Sequence, residues 1–299
     1  MTAGPVSEHD WTIHSLNVQG IFFQRWCQKT IEDSNVWKVR SVNYPVAFGQ
    51  KESTLDIRAE VRSGDRIFNL LIECKKNNPD FINWIFFPKY QAPTNLVMFN
   101  RIINLPRPPP KFGWEVDSGM QMLQSGYPIA DEARETRGSY VQYAKGDKTK
   151  TSNAAIQDAA YQITLATQAI CRQEHLFSTT LGGLGSPPSM PWKEQLFLST
   201  VVTSADIFAC DFDPSDVDSA TGEISYEKVT VKEVPYIYYE YPLPPHLQFP
   251  PDDLVYTLKT IGSLEFLVRK HILIVHSGKF TDFLGELATQ AELFFSSPA

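Results

Sequence analysis

The chain has 299 residues, 42% apolar and 12% aromatic against 20% charged, which excludes a disordered or fibrous polypeptide and allows one large elaborated domain. Its net charge of −7 excludes broad, nonspecific coating of nucleic acid, which depends on phosphate neutralisation by Lys and Arg, so any such contact must be local. No apolar run reaches the ~20 residues of a membrane helix, no signal-peptide core is present, and Cys27, Cys74, Cys171 and Cys210 lie far apart without a CxxC pair, so a cytoplasmic protein with reduced thiols and no membrane partner is expected.

The first element predicted is an amphipathic helix over His14 to Ile31, where Leu16, Phe23, Cys27 and Ile31 recur at helical spacing, widened by Phe22 and Trp26. Three strand-like runs follow, Val36 to Ala47, Ser53 to Arg62 and Arg66 to Lys75, the last two forming a hairpin. The stretch from Asn77 to Lys150 reads as an irregular insertion, with Pro106-Arg107-Pro108-Pro109-Pro110 inside it. A second helix is expected over Ser152 to Gln173, where Ile156, Ala159, Ala160, Ile163, Ala166 and Ile170 make a stripe able to lie close on a sheet. After a glycine- and proline-rich loop, Gln195 to Asp211 reads as one long strand. An acidic loop, a tyrosine-rich strand at Val231 to Tyr241, a strand at His271 to His276 and a final helix over Phe280 to Phe295 complete the chain.

The residues that can carry chemistry lie on the hairpin. Leu55, Ile57, Ala59 and Val61 alternate with Asp56, Arg58 and Glu60, which puts Asp56 on the polar face of its strand. On the next strand Phe68, Leu70, Ile72 and Cys74 hold one face, so Glu73 and Lys75 share the other with Leu71. Charge in so apolar a setting has a cost that function can justify. A Gly64-Asp65 turn sets Asp56 opposite Glu73 with Cβ atoms ~5 Å apart. A Ser63-Gly64 turn makes them diagonal neighbours ~7–8 Å apart, and a three-residue turn faces Asp56 toward Ile72 and removes the site. Two carboxylates this close call for a cation, and hard oxygen ligands suit Mg²⁺ or Mn²⁺. Lys75 adds a compact positive charge beside them.

The run Ser53-Thr54-Leu55-Asp56-Ile57, followed by Leu71-Ile72-Glu73-Cys74-Lys75, resembles the PD-(D/E)xK superfamily of restriction-endonuclease-like nucleases. The resemblance implies an α/β fold with an αβββαβ core, a mixed sheet flanked by helices, over residues 14–75 and 152–212 of a single domain. Residues 76–151 are then an insertion and 213–299 a C-terminal extension. It further implies that Asp56, Glu73 and the backbone carbonyl of Cys74 ligate Mg²⁺ or Mn²⁺, and that Lys75 is the catalytic lysine. Where many members carry a glutamate on the first helix, this chain has Gln19, a weaker ligand, and Leu55 stands at the proline position. Gln157 and Tyr161 are similar to the QxxxY element of the RecB-like branch, which steadies substrate.

Arg137, Lys145, Lys148 and Lys150, against Asp147 alone, give the end of the insertion a local charge of +3, and Lys148 and Lys150 could meet a phosphate backbone. His271 and His276, five apart on a strand, face opposite sides and are not expected to share a metal. Asp211, Asp213, Asp216 and Asp218 read as a solvated acidic turn, since Asp216 stands where a calcium loop needs glycine. Tyr236, Tyr238, Tyr239 and Tyr241 read as a packed strand rather than a base-stacking surface. The function expected is metal-dependent phosphodiester hydrolysis with DNA as partner before RNA. The alternative is a catalytically inactive binding or scaffold protein of the same fold within a larger nucleic-acid-processing or defence assembly.

Overall fold

The computed structural model describes residues 8–77, 81–89, 96–106, 114–124, 126–136, 151–183, 193–248 and 268–296. Two helices stand where one was expected, α1 (Glu8–Val18) and α2 (Ile21–Asp33). Gly20 separates them at φ 76°, a left-handed conformation that glycine adopts without steric cost, and its carbonyl accepts from Gln24 N to start α2. The helical spacing of Phe23, Cys27 and Ile31 holds within α2 alone.

Strands β1 (Lys38–Phe48), β2 (Lys51–Ser63) and β3 (Arg66–Lys75) form an antiparallel meander. Ser63 pairs with Arg66 across Gly64-Asp65, with Gly64 at φ 59°, so the turn is the two-residue one that places glycine first. After α3 (Ala154–Gly183), β9 (Glu194–Thr203) returns parallel to β3 along its whole length, from Arg66 opposite Glu194 to Lys75 opposite Thr203. A helix between two neighbouring parallel strands is the connection such a pair requires.

The expected irregular stretch contains strands instead: β4 (Asn83–Pro88), β5 (Leu96–Pro106), β6 (Trp114–Gln124), β7 (Ile129–Thr136) and, at its end, β8 (Thr151–Ser152). Their pattern is obscured by polar residues in buried places, such as Glu135, and by a register shift at Phe87/Pro88. The expected single strand Gln195 to Asp211 also divides, at Ser204-Ala205, into β9 and β10 (Asp206–Phe212). The tyrosine-rich run divides into β11 (Val229–Glu233) and β12 (Tyr236–Pro242), and β13 (Arg269–His276) precedes α4 (Phe280–Ser296).

Among the described residues these strands make one mixed sheet, in the order β1-β2-β3-β9-β13-β12-β7-β4-β10-β11. The β5–β6 hairpin pairs with the first half of β9, and β13 takes the second half. Helices cover both faces. On one, Ile156, Ile163, Ala166 and Ile170 of α3 pack on Leu71, Phe197, Val201 and Ile272. On the other, Cys27 and Ile31 of α2 and Phe283 and Leu287 of α4 pack on Ile57, Phe68, Leu70 and Leu273. Each fully buried Ile or Leu in these layers contributes ~1.5–3 kcal/mol, which is how a helix with few local stabilisers is held to the sheet. No helix among the described residues is long and apolar enough to cross a membrane.

Candidate active site

The β2–β3 ladder runs outward from the turn as far as Ile57 opposite Ile72 and ends there, one residue short of Asp56 and Glu73. There β2 departs from regular alternation. Leu55 and Ile57, two residues apart and expected on one face, pack in opposite cores. On β1, Asn43, between the partners of Leu55 and Ile57, sits at φ 52°. The twist turns the Asp56 carboxylate toward β3, where Oδ2 accepts from the Cys74 amide at 2.7 Å. Gln24 of α2 secures the same point by donating to the Asp56 carbonyl at 3.2 Å and to Asn43 Oδ1 at 2.7 Å.

Glu73 and Lys75 lie on the α3 face, as period two requires, and Glu73 is only 5% exposed. Lys75 Nζ reaches Glu73 Oε1 at 3.2 Å, Asp158 Oδ2 at 2.8 Å and Gln162 Oε1 at 2.8 Å. Asp158 and Gln162 are one turn apart on α3 and so share the helix face above β3. Cys74 turns the other way, its thiol against Cys27, and burial, followed by that neighbour, pushes it well up.

The electrostatics follow from burial and crowding. Burial, then the charge of Asp56, lifts Glu73 from the carboxylate range to about 8, against a smaller downward pull from Lys75. Burial also raises Asp56, partly offset by the Cys74 N–H and by Lys75. For Lys75 burial acts downward, yet Glu73 and Asp158 outweigh it and the net shift is upward. The group is a pair of carboxyls that resist simultaneous ionisation, beside an ammonium that is firmly charged.

The remaining predicted residues are placed as follows. Gln19 is exposed in the turn between α1 and α2 rather than inward on a continuous helix. Gln157 Nε2 donates to Tyr239 Oη at 2.6 Å, and Tyr161 Oη lies 3.2 Å from His246 Nε2, so these two look toward β12 and the turn at Pro245–Leu247. One residue along the helix is a rotation of ~100°, and it is Asp158 and Gln162 that look at Lys75. Lys148 and Lys150 lie outside the described residues. His271 and His276 meet different carboxylates, Glu240 and Asp206, at 3.4 and 3.6 Å. Asp213 and Asp218 accept from backbone amides of their own loop, and all four tyrosines of the β12 run are buried.

Sequence reasoning missed Gln24, Asp158 and Gln162. The i, i+4 pair Asp158/Gln162 was visible, but only the depth of α3 on the sheet decides which of two adjacent pairs faces β3. Among the described residues no group of three or more His, Cys, Asp or Glu side chains is arranged to hold a metal. A cation here would rest on two carboxylates, backbone oxygen and water, the set that Mg²⁺ accepts. A cavity of about 600 Å³ opens elsewhere, lined by Asp131, Glu132, Glu240, Leu243 and Arg269 among others, and contains none of Asp56, Glu73 and Lys75. Compared with known proteins, the chain matches no family model, no curated protein and no solved structure.

Proposed function

We propose that this chain is a Mg²⁺- or Mn²⁺-dependent nuclease of the PD-(D/E)xK kind, cleaving phosphodiester bonds in DNA in preference to RNA. The observation that carries the reading is that the Asp56 carboxylate reaches the Cys74 amide, next in the chain to Glu73, at 2.7 Å, with Lys75 on Glu73's own face at 3.2 Å. The sequence of α2, β1, β2, β3, α3 and β9, with β3 and β9 parallel, supports a restriction-endonuclease-like core. The candidate site also lies at the carboxyl ends of those two strands, where open α/β sheets bind their ligands.

In this reading Asp56, Glu73 and the Cys74 carbonyl would hold the cation, and the chemistry it would supply is Lewis-acid activation of phosphate and water. The donor set fits: burial holds both carboxyls above their ordinary range, the charge of Asp56 lifts Glu73 further, and a divalent charge would relieve that repulsion. Lys75 stabilises negative charge developing on the phosphate. The four cysteines are free, which suits a reducing, cytoplasmic setting. The test is incubation of the protein with linear and circular DNA in Mg²⁺ or Mn²⁺, with a chelator control. Cleavage that needs the metal is expected; metal binding by calorimetry without any cleavage would overturn the nuclease and leave a fold-retaining scaffold. That second reading draws on Asp158, whose carboxylate pairs with Lys75 at 2.8 Å.

A further inference from the structure

We propose that Asp158 and Gln162 are positioning residues for Lys75, keeping its ammonium aimed at the reacting phosphate when Glu73 turns from the lysine to a cation. The inference rests on the nuclease reading above. An ammonium has three donors, and Lys75 spends them on Glu73, Asp158 and Gln162. The longest of the three contacts, 3.2 Å, is the one to Glu73, the residue that a cation shared with Asp56 would draw away. The two 2.8 Å contacts come from α3 and survive that change.

A lysine on a flexible four-carbon stem has no preferred direction of its own. Here the direction is set by a helix that cannot easily shift. Ile156, Ile163 and Ile170 anchor α3 in the core, and the buried Glu135 carboxylate accepts from Ala155 N and Ile156 N at 2.7 and 3.2 Å to fix its first turn. The Asp158 side chain is 55% exposed, so water screens its ion pair and the contact does little for stability. Its geometric effect is unaffected by screening: it and Gln162 restrict where Nζ can be. Loss of that restriction lowers the rate of the chemical step without changing how substrate or cation binds.

The test uses the full chain with Asp158→Asn, Gln162→Leu and both together, each also combined with Lys75→Ala. First, reductive methylation of Lys75 in saturating Mg²⁺ is read by mass spectrometry, with exposed Lys51 as internal reference. The double variant is expected to label several-fold faster at Lys75 and unchanged at Lys51. Second, on linear DNA, Asp158→Asn is expected to lower kcat about tenfold with KM unchanged and Mg²⁺ affinity no weaker, and Asp158→Glu to restore part of the rate. In the Lys75→Ala background the Asp158 substitution should have no further effect, since a residue acting through Lys75 has nothing left to act on. Unchanged labelling, or a kcat loss that persists in full without Lys75, would overturn the proposal. Faster labelling in a protein that cleaves no nucleic acid would uphold the hold of α3 on Lys75 and reject the nuclease reading instead.

Discussion

At neutral pH Glu73 keeps its proton, because burial first, and then the negative charge of Asp56, opposes its ionisation. A cation bound between the two carboxyls must displace that proton, so metal affinity is linked to pH. Below about 8, the value to which Glu73 is lifted, the Kd for Mn²⁺ is expected to weaken by up to about tenfold per pH unit. Calorimetry at several pH values, in buffers of different ionisation enthalpy, measures both the affinity and the proton released. Affinity independent of pH across 6 to 8 would mean that Glu73 is not a ligand. Lys75 separates binding from chemistry. Lys75→Ala leaves both carboxyls in place and removes a cation that competes for Glu73, so metal should bind at least as well while cleavage falls ~10²-fold or more. Glu73→Ala should lose metal and cleavage together, and equal cleavage by both variants and the parent would place any activity outside this site.

The elements that bear these residues differ in how openly the sequence states them. The hairpin was legible because a period of two and a glycine at the turn both act locally: once Gly64 takes the first turn position, pairing out to Ile57 and Ile72 follows by counting. The stripe on α3 was legible for the same reason. What escaped depends on distant partners. In the first turn of α3 the orphan amides of Ala155 and Ile156 are met by Glu135, on β7. Glu135 in turn made β7 look irregular. Glu135→Ala takes this acceptor from the buried Ile156 amide and the part-buried Ala155 amide and is expected to cost ~1–2 kcal/mol, read as a shift of the urea midpoint at constant slope. At Gly20 the sequence offered helical spacing on both sides, and only the positive φ reveals the break. A Cβ there would meet Lys76 Cβ at 3.8 Å, ordinary contact, so Gly20→Ala tests backbone strain alone and should destabilise by ~1 kcal/mol. The twist at Asp56 was hidden too, since Leu55 and Ile57 obey the alternation in sequence and break it only by packing in different layers.

Across the whole molecule, two buried carboxyls pull stability in opposite directions with pH. Glu240, on β12, receives hydrogen bonds from His271, Lys89 and Arg269, and these outweigh the upward effect of its burial and hold it down to about 2. Its folded pKa lies below the unfolded value near 4.5, so the unfolded chain binds the extra proton. The stability it contributes is present above 4.5 and is lost as pH falls toward 2. Glu73 has the opposite sign. Its folded pKa of about 8 lies above 4.5, so the folded protein binds the extra proton, and its contribution is complete below 4.5 and lost as pH rises toward 8. The slope of that loss is limited to ~1.4 kcal/mol per pH unit, the value of one proton. Together the two groups favour greatest stability of the metal-free protein near pH 4 to 5, below the range of about 5 to 8 where most proteins are most stable. Two substitutions divide the effect. Glu73→Gln, an amide in place of the protonated carboxyl, should flatten the decline above pH 5 and leave the acid limb unchanged. Glu240→Gln should make the acid limb shallower while lowering stability at neutral pH, because Lys89 and Arg269 lose their carboxylate. Urea melts from pH 2 to 8 without metal follow both limbs. Saturating Mn²⁺ should restore the stability lost between 5 and 8 in the parent but not in Glu73→Gln, and a decline that survives both treatments would have to originate in other groups.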